Sequence, residues 1–173
     1  ITTFNVHSSI SEVLIDNLEN IDNSDFIHNV FKTIHQDRLN IICPDFGASK
    51  KIYPLLSQFS NYEFNLVICS KERDLKTTEI TRTVVPKIEN NWYSIIIDDL
   101  CDGGLTFLKI AEEMRKNGNT HPLALAVTHG IFSKGLEVLQ SEFSRVFCTN
   151  SINDENPNPS FLTKFSILGS VKC

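Results

Sequence analysis

Two adjacent carboxylates stand shortly before a pair of glycines in the run Asp98-Asp99-Leu100-Cys101-Asp102-Gly103-Gly104-Leu105-Thr106. Paired glycines let the backbone approach an anion closely, and the first amides of a helix offer the anion the favourable end of the helix dipole. Thr106 can cap this helix or donate to the same anion. Asp98 and Asp99 are acceptors for sugar hydroxyls or, through bound water, for Mg²⁺. Together these groups predict a site for a pentose 5-phosphate.

The same run has a second interpretation, in which an Asp-Gly turn links a strand to a helix and the acids are solvated. Spacing alone leaves both interpretations open. Cys101 lies inside the run, but the sequence places no histidine beside it, so we interpret Cys101 as a packing residue and not as a nucleophile. His129 follows an apolar run, where a structural histidine and a site histidine are equally compatible with the sequence.

The elements that must position these groups are short apolar runs rich in Ile and Val. Runs without polar alternation are typical of parallel strands that are covered on both faces. The predicted strands are residues 3–6, 39–43, 64–69, 92–97, 123–127 and 145–149, with helices predicted over residues 50–59, 106–116 and 134–143. This alternation predicts an α/β fold, an open and mostly parallel sheet with helices on both faces. Ligands of such sheets bind at the carboxyl ends of the strands.

Two stretches depart from this alternation. Residues 71–78 are charged and lack an apolar period, which predicts an exposed mobile loop, and a further strand-like segment follows at residues 79–85. Residues 153–160 contain two prolines and three asparagines and are predicted to lie at the surface. Because the sequence contains no repeat and no low-complexity tract, we expect one domain over residues 1–173.

Composition narrows the class of protein further. The chain has 173 residues, of which 41% are hydrophobic and 21% charged, with a net charge of −5. This acidic balance argues against a nucleic-acid partner, and no apolar run approaches the roughly 20 residues that a membrane span needs. The cysteines are odd in number, far apart and without a C-x-x-C pair, which argues against a disulfide framework and a zinc site. We therefore expect a cytoplasmic protein with no membrane partner.

The run over residues 96–106 resembles the phosphoribosyl-diphosphate loop of type I phosphoribosyltransferases and of ribose-phosphate diphosphokinases (PRPP synthetases). Further segments resemble the synthetase branch and follow its order along the chain. They are Ile1-Thr2-Thr3-Phe4-Asn5-Val6-His7, Cys43-Pro44-Asp45-Phe46-Gly47, Ser70-Lys71-Glu72-Arg73 and Val127-Thr128-His129-Gly130-Ile131-Phe132-Ser133-Lys134-Gly135. The strand ending Thr149-Asn150-Ser151-Ile152 fits the same family. The resemblance covers residues 1 to 152.

This resemblance implies how ribose 5-phosphate is bound. The backbone of Asp102, Gly103, Gly104, Leu105 and Thr106 would hold the 5-phosphate. Asp98 and Asp99 would hold the ribose hydroxyls. The implied fold is the type I phosphoribosyltransferase-like fold, in agreement with the alternation of strands and helices.

The resemblance also implies the ATP half of the reaction. His7 and Asp45 would help to bind the Mg²⁺ that accompanies ATP. Lys71 and Arg73 would neutralise the triphosphate while a diphosphoryl group moves from ATP to O1 of ribose 5-phosphate, forming PRPP and AMP. Such a transfer asks the protein mainly for alignment and for cations around the developing charge. The resemblance further implies a homo-oligomer with sites shared between subunits.

Departures from the family pattern keep alternative functions open. Leu105 stands where the commonest loop has Gly, and Asn5 replaces an acidic residue found two positions before the His. Family members are tandem duplications, and the chain resembles the C-terminal domain without the N-terminal one. The alternatives are a phosphoribosyltransferase that consumes PRPP and a non-catalytic, regulatory subunit that binds ribose phosphates.

Overall fold

The computed structural model describes residues 1–8, 10–73, 80–89 and 91–167, and the side chains of residues 73 and 80–82 lie outside the described part. In chain order the elements are β1 (Thr2–Phe4), α1 (Ile10–Leu14), β2 (Glu19–Ile21), α2 (Ser24–Ile34), β3 (Arg38–Cys43), α3 (Phe46–Leu56), β4 (Glu63–Ile68), β5 (Ser70–Arg73), β6 (Ile80–Val84), β7 (Tyr93–Cys101), α4 (Leu105–Lys116), β8 (Leu123–Gly130), β9 (Arg145–Thr149) and β10 (Leu162–Phe165).

A six-stranded sheet of order β10-β9-β8-β7-β3-β4 forms the centre of the fold. All of its neighbouring strands run parallel. Helices cover both faces, which confirms the predicted α/β class. The chain order reverses between β3 and β7, and at this kind of position an open α/β sheet binds its ligands.

Successive apolar residues of the central strands pack on opposite faces, as the two-residue side-chain period of a strand requires. Ile95 and Ile97 of β7 join the apolar cluster under α2 and α3, whereas Ile96 joins the cluster under α4. Ile41 and Ile42 of β3 are divided in the same way. The strands are apolar without alternation because neither face of the sheet meets water.

Two small sheets lie beside the central one. β1 pairs in parallel with β2, and β5 pairs in antiparallel with β6. Residues 71–73 are therefore part of a strand and not of the exposed loop predicted for residues 71–78, because backbone pairing with β6 compensates for their lack of apolar periodicity. Of that predicted loop, residues 74–78 lie outside the described ranges.

The prediction of a helix over residues 134–143 is wrong. This segment consists of successive turns. Gly135 adopts φ 80°, which interrupts a right-handed helix immediately after Lys134. Its apolar residues Leu136, Leu139 and Phe143 are nevertheless buried under the sheet, so the helical spacing reflects burial and not helix formation.

The other predicted elements differ from the observed ones mainly in where they begin and end. Some observed elements were not predicted. β7 continues to Cys101, four residues past the predicted end of that strand. α2 and β10 are elements that the apolar pattern did not predict. In the described ranges, the helices are all too short or too polar to cross a lipid bilayer.

Candidate functional site

The loop that joins β7 to α4 (residues 102–106, the glycine loop) opens at the carboxyl edge of the sheet. Gly104 is the N-cap of α4 and adopts φ 79°, and its carbonyl accepts hydrogen bonds from the amides of Phe107 (3.0 Å) and Leu108 (3.1 Å). A Cβ at Gly104 would lie 2.9 Å from Cδ2 of Leu139. Because the first amides of a helix have no partner within it, the loop can bind an anion at this end of α4.

Capping of this helix by Thr106, one of two roles that the sequence left open for it, is wrong. Gly104 occupies the cap position, and no side chain makes a capping hydrogen bond. Thr106 is the second residue of α4, so only its role as a donor to an anion stays a prediction. Leu105 is 63% exposed, which leaves the outer side of the glycine loop open to solvent.

Asp98 lies within β7, before the glycine loop, in a largely buried position. Its Oδ1 accepts a hydrogen bond from the amide of Asp99 at 2.9 Å. Burial raises the pKa of Asp98 to about 6, and the nearby charges of Asp99 and Asp45 act in the same direction. Asp98 therefore changes charge just below neutral pH.

Asp99 has the opposite electrostatic environment. Its Oδ2 lies 2.7 Å from Nζ of Lys51 in α3 and 2.6 Å from Nδ1 of His7. Burial acts to raise the pKa of Asp99, but the hydrogen bonds from Lys51 and His7 outweigh it and hold the pKa below its ordinary value. Lys51 also donates to the carbonyl of Val6 at 3.4 Å, so a single ammonium joins α3, β7 and the segment after β1.

The contact of Lys51 with Asp99 was not predicted from the sequence. From the sequence, Lys50 and Lys51 fit a solvated helix face and a triphosphate contact equally well. The structure separates them, because the Lys50 ammonium lies over the Phe46 ring at 5.0 Å while Lys51 contacts Asp99. No local pattern marks a lysine of α3 as the partner of a carboxylate 48 residues away.

Asp45 and Lys71 form a second polar pair at the same edge of the sheet. Asp45 is the N-cap of α3, and its side chain accepts a hydrogen bond from the amide of Ala48 at 3.1 Å. Nζ of Lys71 lies 3.6 Å from Oδ2 of Asp45. Arg73 ends β5, and its side chain falls outside the described part.

The predicted metal ligands His7 and Asp45 belong to different groups. His7 contacts Asp99, whereas Asp45 pairs with Lys71. Among the residues that the structure describes, no group of three or more His, Cys, Asp or Glu side chains could hold a metal. Mg²⁺ usually retains several waters and takes only one or two carboxylates together with substrate phosphates. The half-exposed carboxylate of Asp45 fits such an incomplete set, and the exposed imidazole of His7 would add a nitrogen ligand to it. The described residues form no closed protein site.

A buried polar network holds the segment that carries His7. The side-chain amides of Asn5 and Asn23 donate through Nδ2 to Oγ1 of Thr128 at 2.7 Å and 3.0 Å. His129 contacts Oγ of Ser151 at 2.7 Å through Nδ1 and the carbonyl of Asn5 at 3.4 Å through Nε2. These contacts favour the structural interpretation of His129. Asn5 itself adopts φ 48°, so the network stabilises an uncommon backbone conformation two residues before His7.

The described cysteines are buried and free. Burial raises the pKa of the Cys101 thiol to about 12, so Cys101 carries a proton at neutral pH and is a weak nucleophile. The packing interpretation of Cys101 agrees with this environment.

The class of fold follows from comparison with solved structures. A phosphoribosylpyrophosphate synthetase from Mycobacterium smegmatis matches 98% of this chain and 56% of its own with a TM-score of 0.74 and 18% identity. A xanthine-guanine-hypoxanthine phosphoribosyltransferase from Helicobacter pylori matches 95% of this chain and 93% of its own with a TM-score of 0.52 and 9% identity. The fold is the type I phosphoribosyltransferase-like α/β fold.

Sequence comparison gives the family. Ribose-phosphate pyrophosphokinases are 31% identical over 124 residues in Mycoplasmopsis pulmonis and 30% identical over 158 residues in Pyrococcus abyssi. These matches cover 70% and 88% of this chain, but the chain spans only 38% and 50% of those relatives. No protein-family model matches the sequence. The chain is a homologue of the ribose-phosphate pyrophosphokinases over the part that it spans, which confirms the resemblance.

Proposed function

We propose that the chain is the ribose 5-phosphate-binding part of a ribose-phosphate pyrophosphokinase. The whole protein would transfer a diphosphoryl group from ATP to ribose 5-phosphate and release PRPP and AMP. One observation carries the proposal: a pair of acceptors, Asp98 and Asp99, precedes an anion-binding helix start at the carboxyl edge of a parallel sheet. The names of the homologous proteins support the same reaction.

The substrate roles follow from this arrangement. The 5-phosphate binds the amides of the glycine loop, where the helix dipole favours an anion. Asp98 and Asp99 accept hydrogen bonds from the ribose hydroxyls. Lys51 and His7 support this role, since both hold Asp99 in its ionised form. An ionised carboxylate accepts stronger hydrogen bonds than a neutral one.

The ATP half of the site is proposed on the other side of the acid pair. His7 and Asp45 would hold Mg²⁺, which would supply positive charge to the triphosphate. Lys71 and Arg73 would contact the same phosphates. Lys71 supports this assignment because its ammonium already faces the edge of the sheet, 3.6 Å from Asp45. A cation in that position stabilises the charge that develops during phosphoryl transfer.

Further expectations belong to the whole protein. We propose that residues 1–173 form a single phosphoribosyltransferase-like domain, corresponding to the C-terminal part of a tandem protein. The matches span only 38% and 50% of those relatives, in agreement with that proposal. We also propose a cytoplasmic homo-oligomer that completes its ATP site with residues beyond this chain. We expect no nucleic-acid or membrane partner.

Phosphorus NMR of the chain with ATP, ribose 5-phosphate and Mg²⁺ tests the proposal. PRPP and AMP signals that disappear in Asp98→Asn would support the complete reaction. Shifted ribose 5-phosphate signals without product would support the binding role and indicate that catalysis needs residues beyond this chain, or that the protein is a non-catalytic subunit. Neither product nor binding would contradict the proposal. Consumption of PRPP with a nucleobase would favour the phosphoribosyltransferase alternative.

A further inference from the structure

A second loop packs against the glycine loop from the neighbouring strand. It comprises residues 131–135 and follows β8. The amides of Ile131 and Phe132 donate to the carbonyl of Cys101 at 2.9 Å and 3.2 Å. The amide of Ser133 donates to the carbonyl of Asp102 at 3.1 Å. The second loop is therefore attached by backbone hydrogen bonds to the start of the glycine loop.

Several features fix the conformation of this second loop. Phe132 adopts φ 52°, and its ring occupies the space that a Cβ on Gly130 would need. Gly135 adopts φ 80°, and its amide donates to the carbonyl of Phe132 at 2.9 Å. A non-glycine residue with positive φ persists only where the surrounding contacts determine the backbone. The loop thus presents the residues after Phe132 in a defined direction.

That direction brings the aliphatic stem of a lysine to the glycine loop. Cγ of Lys134 lies 3.3 Å from the position that a Cβ on Gly103 would take, and Oγ of Ser133 lies 3.8 Å from it. The Lys134 side chain is exposed, and the ion pairs found in the described ranges do not include its ammonium. The glycine loop has no cation of its own and carries the negative charge of Asp102.

We propose that Lys134 is a substrate-binding residue whose ammonium contacts the 5-phosphate held by the glycine loop. This inference rests on the proposed function, which places a phosphate there. A phosphate dianion beside Asp102 meets a like charge, and amides alone do not neutralise it. A lysine on a flexible stem is a point charge that can reach a phosphate, and a charge-assisted hydrogen bond is stronger than a neutral one.

Calorimetric titration of ribose 5-phosphate into the 173-residue chain tests the inference. In Lys134→Met we expect a dissociation constant about tenfold higher at low salt, with the difference shrinking as salt screens the charge. Lys134→Arg retains the charge and should bind nearly as the parent does. The matched control is Lys32→Met, which removes an exposed lysine from the last turn of α2, just before the start of β3.

The other outcomes separate this inference from the proposed function. Parent-like affinity and salt dependence in Lys134→Met would overturn the role of Lys134 while the proposed function stands. Equal, salt-independent losses in Lys134→Met and Lys134→Arg would assign the lysine a packing role and also overturn the inference. A parent chain that does not bind ribose 5-phosphate would overturn both proposals together.

Discussion

Asp98 and Asp99 are neighbours in one strand, yet their carboxyl groups titrate in opposite directions. Burial raises the pKa of Asp98, whereas Lys51 and His7 keep the pKa of Asp99 below its ordinary value. At pH 5, Asp99 is ionised and Asp98 is mainly protonated. One strand therefore carries an acceptor that stays ionised at pH 5 and a second whose charge changes near pH 6.

The raised pKa of Asp98 predicts how stability changes with pH. The pKa is about 6 in the folded chain, against an ordinary value of 3.8 for a solvated aspartate, so between these values folding takes up a proton. The contribution of Asp98 to the free energy of unfolding therefore falls by about 3 kcal/mol as the pH rises from 4 to 6. Above pH 6 it levels off. Asp98→Asn lacks this loss, so its stability relative to the parent should increase over that range.

Urea unfolding at several pH values, with a chelator present, measures this difference. Asp102→Asn is the control because it removes an exposed carboxylate from the adjacent loop. Parallel stability curves for Asp98→Asn and the parent would show that folding does not raise the pKa of Asp98, contrary to the prediction.

At the scale of elements, the junction of β7 and α4 depends on a glycine in two ways. Gly104 adopts φ 79°, and a Cβ there would lie 2.9 Å from a methyl group of buried Leu139. Gly118, after the end of α4, adopts φ 88° with open space around it. The two glycines share the backbone conformation and differ in the contact, so they allow strain and crowding to be measured separately.

We expect Gly118→Ala to lower the free energy of unfolding by about 1 kcal/mol, since it introduces only left-handed backbone strain. Gly104→Ala adds overpacking against Leu139 and should cost about 3 kcal/mol. It should also weaken ribose 5-phosphate binding, because the cap shapes the glycine loop. Denaturant unfolding and calorimetry measure the two effects. Equal costs for the two variants would show that Leu139 moves aside without penalty.

At the scale of the whole molecule, the two apolar clusters share the strands of one sheet. Cys43 belongs to the cluster under α2 and α3, and Cys148 to the cluster under α4. Alternate residues of the same strands belong to the two clusters. Neither cluster can therefore unfold while the other remains packed on an intact sheet. The sheet should therefore unfold in one cooperative step.

Thiol labelling tests this cooperativity. In variants that retain only Cys43 or only Cys148, burial protects both thiols, whose pKa is raised to about 12 and about 11. We expect their labelling in urea to share one midpoint with the circular dichroism signal. Labelling of one cysteine at a clearly lower urea concentration would indicate two units and contradict the single-domain proposal.

Much of the fold follows from local sequence. β9 was predicted with its observed ends, and β3, β4 and α4 within one residue of theirs, because burial on both faces leaves an uninterrupted apolar run. The predicted helix over residues 134–143 failed because helical spacing of Leu136, Leu139 and Phe143 also satisfies a series of turns. α2 shows the converse: it buries Phe26 and Phe31 but lay outside the prediction.

The amino-acid sequence was enough to predict the class of fold, the glycine loop and the acid pair, since each depends on neighbouring residues and on side-chain period. The packed fold supplied the neighbours of these groups: Lys51 and His7 lie at Asp99, and Lys134 lies beside Gly103. These residues are far apart along the chain, and strand order and helix packing bring them together. A local sequence pattern predicts on which face of a strand or helix a residue lies. The residues that it contacts there depend on how the strands and helices pack.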